Sequence, residues 1–294
     1  MAGQVIKQYQ ERDWDVVDYE LYTIPGFNYT LRGPQVTDDA PRFATILGAG
    51  QSFGVLVGDP YAHKLSRAFS MEIMNLSVGG SAPTLYLGSK AAIEACNRSS
   101  LCVIQILSAR SSQSSYFESR GGKNMLRPRG SKLPFVPGDT AYRSMFANEP
   151  PSIPPIVIGE LRANWVKEML QLLGLIKTPK ILLWFSKRSP DLPESFSSFD
   201  EASGGFPHFV NRTMIDEIRP YADDYVEVVS SRGMPNRLIN RFTGEPAQIT
   251  LGDKAQASSE DTYYPSPEMH EDAFEALRDP VARLWSAREG TSET

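Results

Sequence analysis

Phe43-Ala44-Thr45-Ile46-Leu47-Gly48-Ala49-Gly50-Gln51-Ser52-Phe53-Gly54 is the stretch whose reading decides the fold. Its first residues are apolar or β-favouring almost without interruption, as in a strand covered on both faces, and a glycine-rich turn follows at once. Gly48, Gly50 and Gly54 permit positive φ and close backbone approach, so the chain can turn sharply from the strand into a helix. Amides at the start of that helix can stabilise an anion, and Ser52 brings a hydroxyl to the place where a sheet edge meets solvent. A serine there can also simply cap a helix. The turn has neither the longer glycine pattern of a dinucleotide fingerprint nor the Lys-Ser/Thr pair of a P-loop.

Around this stretch lie similar apolar runs at Glu72–Val78, Leu101–Leu107, Lys180–Ser186 and Tyr225–Ser230, giving with Phe43–Gly48 five candidate strands. Amphipathic segments separate them, which is the α/β pattern. The clearest is Ile156–Leu173, with Leu161, Trp165, Met169 and Leu172 at helical spacing and Gly174 as a stop. Asn211 or Thr213 can cap a helix reaching about Tyr221, and Ser266-Pro267 opens a last helix carrying Met269, Ala273, Leu277 and Val281 inward. The expected architecture is three layers around a five-stranded parallel sheet in flavodoxin-like order, with the first strand central. The whole chain, residues 1–294, reads as one domain. It includes an irregular Tyr- and Asp-rich arm over residues 1–42 and a lid-like insertion rich in Ser, Gly, Arg and Pro over residues 108–155. Arg237–Phe242 is a candidate edge strand.

Composition narrows the function classes. With 41% hydrophobic and 22% charged residues the chain has a real core, and its net charge of -5 argues against a nucleic-acid partner, which clustered Lys and Arg would have to hold. The basic stretch Arg120–Lys132, with Lys123, Arg127 and Arg129, reads as a solvated loop or as a contact for one anionic ligand. The opening MAGQVIKQYQERDWD has no apolar signal core and no run reaches eighteen apolar residues, so a cytoplasmic protein with no membrane span is expected. Cys96 and Cys102 are too few for a disulfide framework and lack the neighbours of a metal site, and both read as small buried hydrophobes.

A second glycine turn follows the second strand in Asn75-Leu76-Ser77-Val78-Gly79-Gly80-Ser81, so two such turns share a crevice at the sheet edge. The pair resembles the SGNH (GDSL-like) esterases and acyltransferases. That family has a nucleophile block after the first strand, a glycine after the second, an asparagine after the third and a histidine near the C-terminus. The resemblance implies Gly50-Gln51-Ser52 as the first block, with Ser52 as nucleophile, and Gly79 or Gly80 as an oxyanion amide. After the third strand the chain reads Ser108-Ala109-Arg110-Ser111-Ser112-Gln113, without the asparagine. Ser111 or Gln113 would donate in its place, and Arg110 would hold an oxyanion or an acidic ligand. His270 stands where the family places its base, but Pro267 replaces the family's spacing Asp, leaving a Ser52–His270 dyad or help from Glu268 or Asp261. His63 and His208 read as structural or ligand-lining. The chain is also similar to a bacterial family found near cell-surface polysaccharide genes.

The implied activity is a serine-dependent esterase or acyltransferase acting on an O-acyl group of a small molecule or carbohydrate. Ser52 would attack the carbonyl, His270 accept its proton, and the amides of Ser52 and of Gly79 or Gly80 hold the oxyanion. No resident cofactor is required, and a transferase would take an acyl donor such as acetyl-CoA. Two other readings compete: a binding or assembly protein without hydrolytic machinery, and a sulfuryl transferase of polysaccharide modification using Arg110 and the Arg120–Lys132 stretch.

Overall fold

The computed structural model describes residues 9–37, 40, 42–250 and 256–286. In chain order the central elements are β1 (Phe43–Leu47), α1 (Gly50–Phe53), α2 (Tyr61–Phe69), β2 (Glu72–Asn75), α3 (Pro83–Leu87), α4 (Lys90–Arg98) and β3 (Leu101–Gln105). There follow β4 (Phe117–Arg120), β5 (Lys123–Pro128), β6 (Val136–Pro137), α5 (Gly138–Asn148), α6 (Ile153–Leu175) and β7 (Lys180–Ser186). The last elements are α7 (Phe199–Ser203), α8 (Arg212–Ile218), β8 (Asp224–Val229), β9 (Asn236–Arg237), β10 (Glu260–Asp261) and α9 (Pro267–Ser286).

The five expected strands form one parallel sheet in the order β2-β1-β3-β7-β8, which is flavodoxin-like, but the central strand is β3 and not the expected β1, which lies second from the edge. Side chains alternate across it and sort into two cores. Leu47, Cys102, Ile104, Leu182 and Trp184 pack on one face under α6. Ala44, Ile46, Leu101, Val103, Ile181, Leu183 and Phe185 pack on the other under α2 and α9. Burial on both faces explains why these strands read as continuous apolar runs rather than alternating ones. Helix α6 places Leu161, Trp165, Met169 and Leu172 inward, and the Trp165 indole N–H donates to the Leu107 carbonyl at 3.1 Å. Gly174 does not stop it, because the helix runs on to Leu175. Asn211 does cap α8, its side chain accepting from the Met214 amide at 3.1 Å. Cys96 and Cys102 are buried free thiols, with the sulfurs 3.8 Å apart.

Residues 108–155, expected to be irregular, instead build the antiparallel sheet β4-β5-β6 and helix α5. The hairpin is pinned to the turn after β2: the Ala82 amide donates to Gly122 O at 2.9 Å and the Asn124 amide to Gly80 O at 3.1 Å. Three of its basic residues have close partners. Arg127 pairs with Glu118, Arg129 donates to Ser114 O and Phe117 O, and Lys123 lies over the Tyr29 ring. Polar spacing hid this sheet, because short strands facing solvent leave no apolar run. The expected edge strand is reduced to β9, paired antiparallel with β10. No described helix is long and apolar enough to cross a membrane.

Candidate functional site

The order of the sheet places its switch point between β1 and β3, where connections leave toward opposite faces and a crevice opens outside the carboxyl ends. That crevice is lined by residues following three strands: Ala49, Gly50 and Gln51 after β1, Gly80 and Ser81 after β2, and Ser108, Arg110 and Ser111 after β3. Tyr263 and Tyr264 close one side. Only about 30 Å³ is open there, room for little beyond water. A second cavity of about 180 Å³ shares Gln51, Phe206 and Tyr263 with the first. A wider groove of about 960 Å³ lies between the arm and α4, but its charged residues, Glu94 and Arg98, are exposed on the helix surface.

Ser52 does not face this crevice. It is the third residue of α1 and its side chain turns back toward the core, where it is fully buried and accepts a 2.8 Å hydrogen bond from the Tyr61 hydroxyl. The Ser52 amide is not a free oxyanion donor either. Gln105 Oε1 accepts from it at 3.3 Å and from the Ala49 amide at 2.9 Å. Gly48 has no side chain because none fits: a Cβ there would come within 2.6 Å of Ser52 Cβ and 2.8 Å of Gln105 Oε1. Gly50, at the crevice surface, is covered by the ring of Tyr264.

His270, the fourth residue of α9, is also fully buried. Its Nδ1 accepts from the Tyr61 amide at 3.2 Å, and its ring stacks on that of Tyr61 at 5.8 Å between centroids. Burial drives its pKa down to about 3, so the ring is neutral. With Nδ1 accepting, the proton of the neutral ring sits on Nε2, which has no hydrogen-bond partner among the described residues. The expected Ser52–His270 hydrogen bond is therefore not among those formed by the described residues; the two side chains meet opposite ends of Tyr61 instead. Asp261 accepts from the Tyr263 and Tyr264 amides at 3.1 and 2.7 Å and so shapes the crevice wall.

The other expected residues divide. Gly80, at φ 73°, Ser111, Gln51 and Arg110 line the crevice; Gly79 is covered by Tyr9, and Gln113 is exposed. Arg110 is only 6% exposed. One guanidinium nitrogen donates to both carboxylate oxygens of Asp139, at 2.8 and 3.0 Å, while its Nε has no partner among the described residues. Asp139 sits in the first turn of α5, where a helix start favours an anion, and Arg110 draws its pKa below the usual carboxylate range against the pull of burial. His63 Nε2 is 2.9 Å from Gly33 O, a structural contact.

Sequence reasoning missed Asn124, whereas His208, read as structural or ligand-lining, does line a cavity. Asn124 comes from the hairpin rather than from the end of β3, and it lines the crevice with a buried Oδ1 that has no partner among the described residues. Only the register of the hairpin against Gly80 reveals it. His208, 7% exposed, follows Gly205-Phe206-Pro207 in the loop leading to α8 and lines the second cavity.

The family described as "Domain of unknown function (DUF6473)" matches residues 7–124 and 149–288. The chain belongs to it. The unmatched residues 125–148 fall in β5, β6 and α5, so the family core carries the sheet and both glycine turns, while Asp139 lies in the interruption. No curated protein matches. Among solved structures, the chain is similar to a carbohydrate esterase family 2 enzyme with a carbohydrate-binding domain from Corynascus thermopiles (Myceliophthora fergusii), at 12% identity and TM-score 0.39 over 87% of this chain and 70% of that one. It is similar to an extracellular lipase from Streptomyces rimosus at 12% identity and TM-score 0.41, over 81% and 99%. It is similar to phospholipase A1 from Streptomyces albidoflavus NA297 at 10% identity and TM-score 0.43, over 82% and 99%.

Proposed function

We propose that this DUF6473 protein binds a small anionic ligand in the crevice at the carboxyl edge of its sheet. The observation that carries the reading is the charge of the lining. Arg110, Lys187 and Arg188 contribute to the two adjoining cavities, and no carboxylate among the described residues lines either, in a chain whose net charge is -5. Arg110 is buried with an unused Nε, so a carboxylate, sulfate or phosphate oxygen would gain a charge-assisted hydrogen bond that water meets poorly in so narrow a slot. Gly80, Ser81 and Asn124 supply neutral polar neighbours.

Calorimetric titration with D-glucuronate and with glucose 6-sulfate tests this reading. Wild type is expected to bind at least one, more weakly at high salt, and Arg110→Gln/Asp139→Asn to bind about tenfold more weakly or worse, since one hydrogen bond to a charged group is worth roughly 1.5–3 kcal/mol. The paired substitution avoids stranding the Asp139 carboxylate. Absence of binding to wild type, or equal binding by the variant, would refute the proposal.

Acyl transfer from Ser52 is the second reading, with His270 as base and acetyl-CoA as a possible donor. What favours it is that both side chains converge on Tyr61. It requires Ser52 to leave the Tyr61 hydroxyl and reach the crevice, and His270 to free a lone pair now committed to an amide. Fluorophosphonate labelling and p-nitrophenyl acetate hydrolysis are expected to be the same for wild type and Ser52→Ala; labelling lost only in the variant would establish the acyl route. Sulfuryl transfer is less well supported, because Arg127 and Arg129 are engaged within the hairpin segment and Lys123 lies over the Tyr29 ring of the arm.

A further inference from the structure

The second cavity adjoins the crevice across Gln51, Phe206 and Tyr263, and its wall is largely apolar: Phe185, Phe206, Pro265 and Met269. His208 interrupts it. Its Nδ1 lies 3.0 Å from the Gly204 carbonyl oxygen and 3.2 Å from Ser203 Oγ. A carbonyl can only accept, so Nδ1 carries a proton. Burial, reinforced by the nearby positive charge of Arg110, holds the pKa of His208 down to about 3, and the ring is neutral. Its Nε2 is then a pure acceptor, buried and without a partner among the described residues. A buried acceptor without a partner costs free energy until a donor arrives, and Lys187 does not supply one, because its ammonium group donates to Thr262 O. Arg188 is committed to the carbonyls of Gly205, Ser189, Pro207 and Val210.

We infer that this cavity is a subsite for a ligand hydroxyl: the ligand's O–H donates to His208 Nε2 while a ring or short carbon skeleton lies against Phe206, Phe185 and Met269. About 180 Å³ falls below the roughly 300 Å³ at which drug-sized pockets begin, which suits a single ring. The inference rests on the anion reading for the orientation of the ligand, because the two cavities meet at Gln51, Phe206 and Tyr263. Together they select a hydroxylated acid with its acidic group toward Arg110 and its hydroxyl toward His208. Sugar acids and cyclic hydroxy acids are of this class.

The experiment compares cyclohexanecarboxylate with its cis- and trans-4-hydroxy and 3-hydroxy derivatives by calorimetry, and adds neutral cyclohexanol while following the Nε2 ¹⁵N resonance of His208. At least one hydroxy acid is expected to bind wild type about tenfold more tightly than the parent acid, with His208→Phe reducing the difference to less than threefold while retaining affinity for the parent. In wild type the same hydroxy acid should shift the Nε2 resonance, a readout that does not depend on the variant folding. If no acid binds but cyclohexanol shifts Nε2, the anion reading fails and the hydroxyl subsite stands. If neither the hydroxy acids nor cyclohexanol moves the Nε2 resonance, the subsite is overturned whatever Arg110 does.

Discussion

Between pH 7 and pH 5 the protein is expected to lose about 4 kcal/mol of unfolding free energy through two histidines, each binding a proton only when the chain unfolds. His208 and His270 are both buried, and burial holds each pKa at about 3, against 6.5 for the free side chain. Throughout the window between those values the unfolded chain binds more protons than the folded one. Stability is therefore full above the unfolded value and falls as the pH drops toward the folded one, with a slope approaching about 1.4 kcal/mol per pH unit for each ring. His63, whose pKa burial also lowers, acts in the same direction. Glu168 acts in the opposite one, because burial raises its pKa and the folded form takes up its proton first. Urea unfolding at pH 7, 6 and 5 checks the slope. In His270→Gln the amide oxygen can still accept from Tyr61, and the fall should shrink by about half. Parallel curves for wild type and variant would mean that His270 is not the buried neutral group described here.

The same two histidines show how far the sequence could be read. All five strands of the sheet were visible: β1, β3 and β7 are covered on both faces and so have to be apolar throughout, whereas β8 alternates buried and exposed positions. The glycines of the turn after β1 were visible for a related reason, since Gly48 and Gly54 answer to backbone geometry fixed within a few residues. The direction of a side chain on a four-residue helix is not fixed that way. Ser52 and Gly50 differ by two positions, which on a helix is more than half a turn, and the serine faces the core while the glycine faces the crevice. His270 lies on the apolar stripe with Met269 and Ala273, a placement that spacing alone cannot distinguish from a site residue. Asn124 and His208 reach the site from a hairpin and a loop, so their place depends on tertiary docking, which leaves no local periodicity.

Replacing Arg32 by leucine is expected to cost about 3 kcal/mol or more, although Arg32 belongs to the arm and touches no ligand-lining side chain of the crevice. Arg32 is 1% exposed, and its guanidinium donates to four backbone carbonyls: Phe53 at 3.1 Å, Gly54 at 2.6 Å, Val57 at 2.7 Å and Gly58 at 3.1 Å. These carbonyls belong to the segment that brings the chain out of α1, where Gly54 and Leu56 both have positive φ, at 77° and 64°. A non-glycine residue in that region is strained, and the fork of donors from Arg32 is what holds the segment there. Leucine conserves much of the volume, and although Gly54 O keeps the Val57 amide and Gly58 is exposed to water, the buried Phe53 and Val57 carbonyls are left to find partners, at roughly 1–3 kcal/mol for each that fails. Lysine keeps the charge without the planar fork and should recover only part of the loss. Because the same segment anchors α1, and α1 carries Gly50 and Gln51 to the crevice, the ligand affinity of Arg32→Leu should fall even under conditions where the variant remains folded. Equilibrium urea unfolding of wild type, Arg32→Lys and Arg32→Leu, with D-glucuronate titrations of each at 10 °C, measures both effects. A loss below about 1 kcal/mol for leucine would show that water or backbone relaxation meets these carbonyls, and that the arm merely covers the turn without holding its shape.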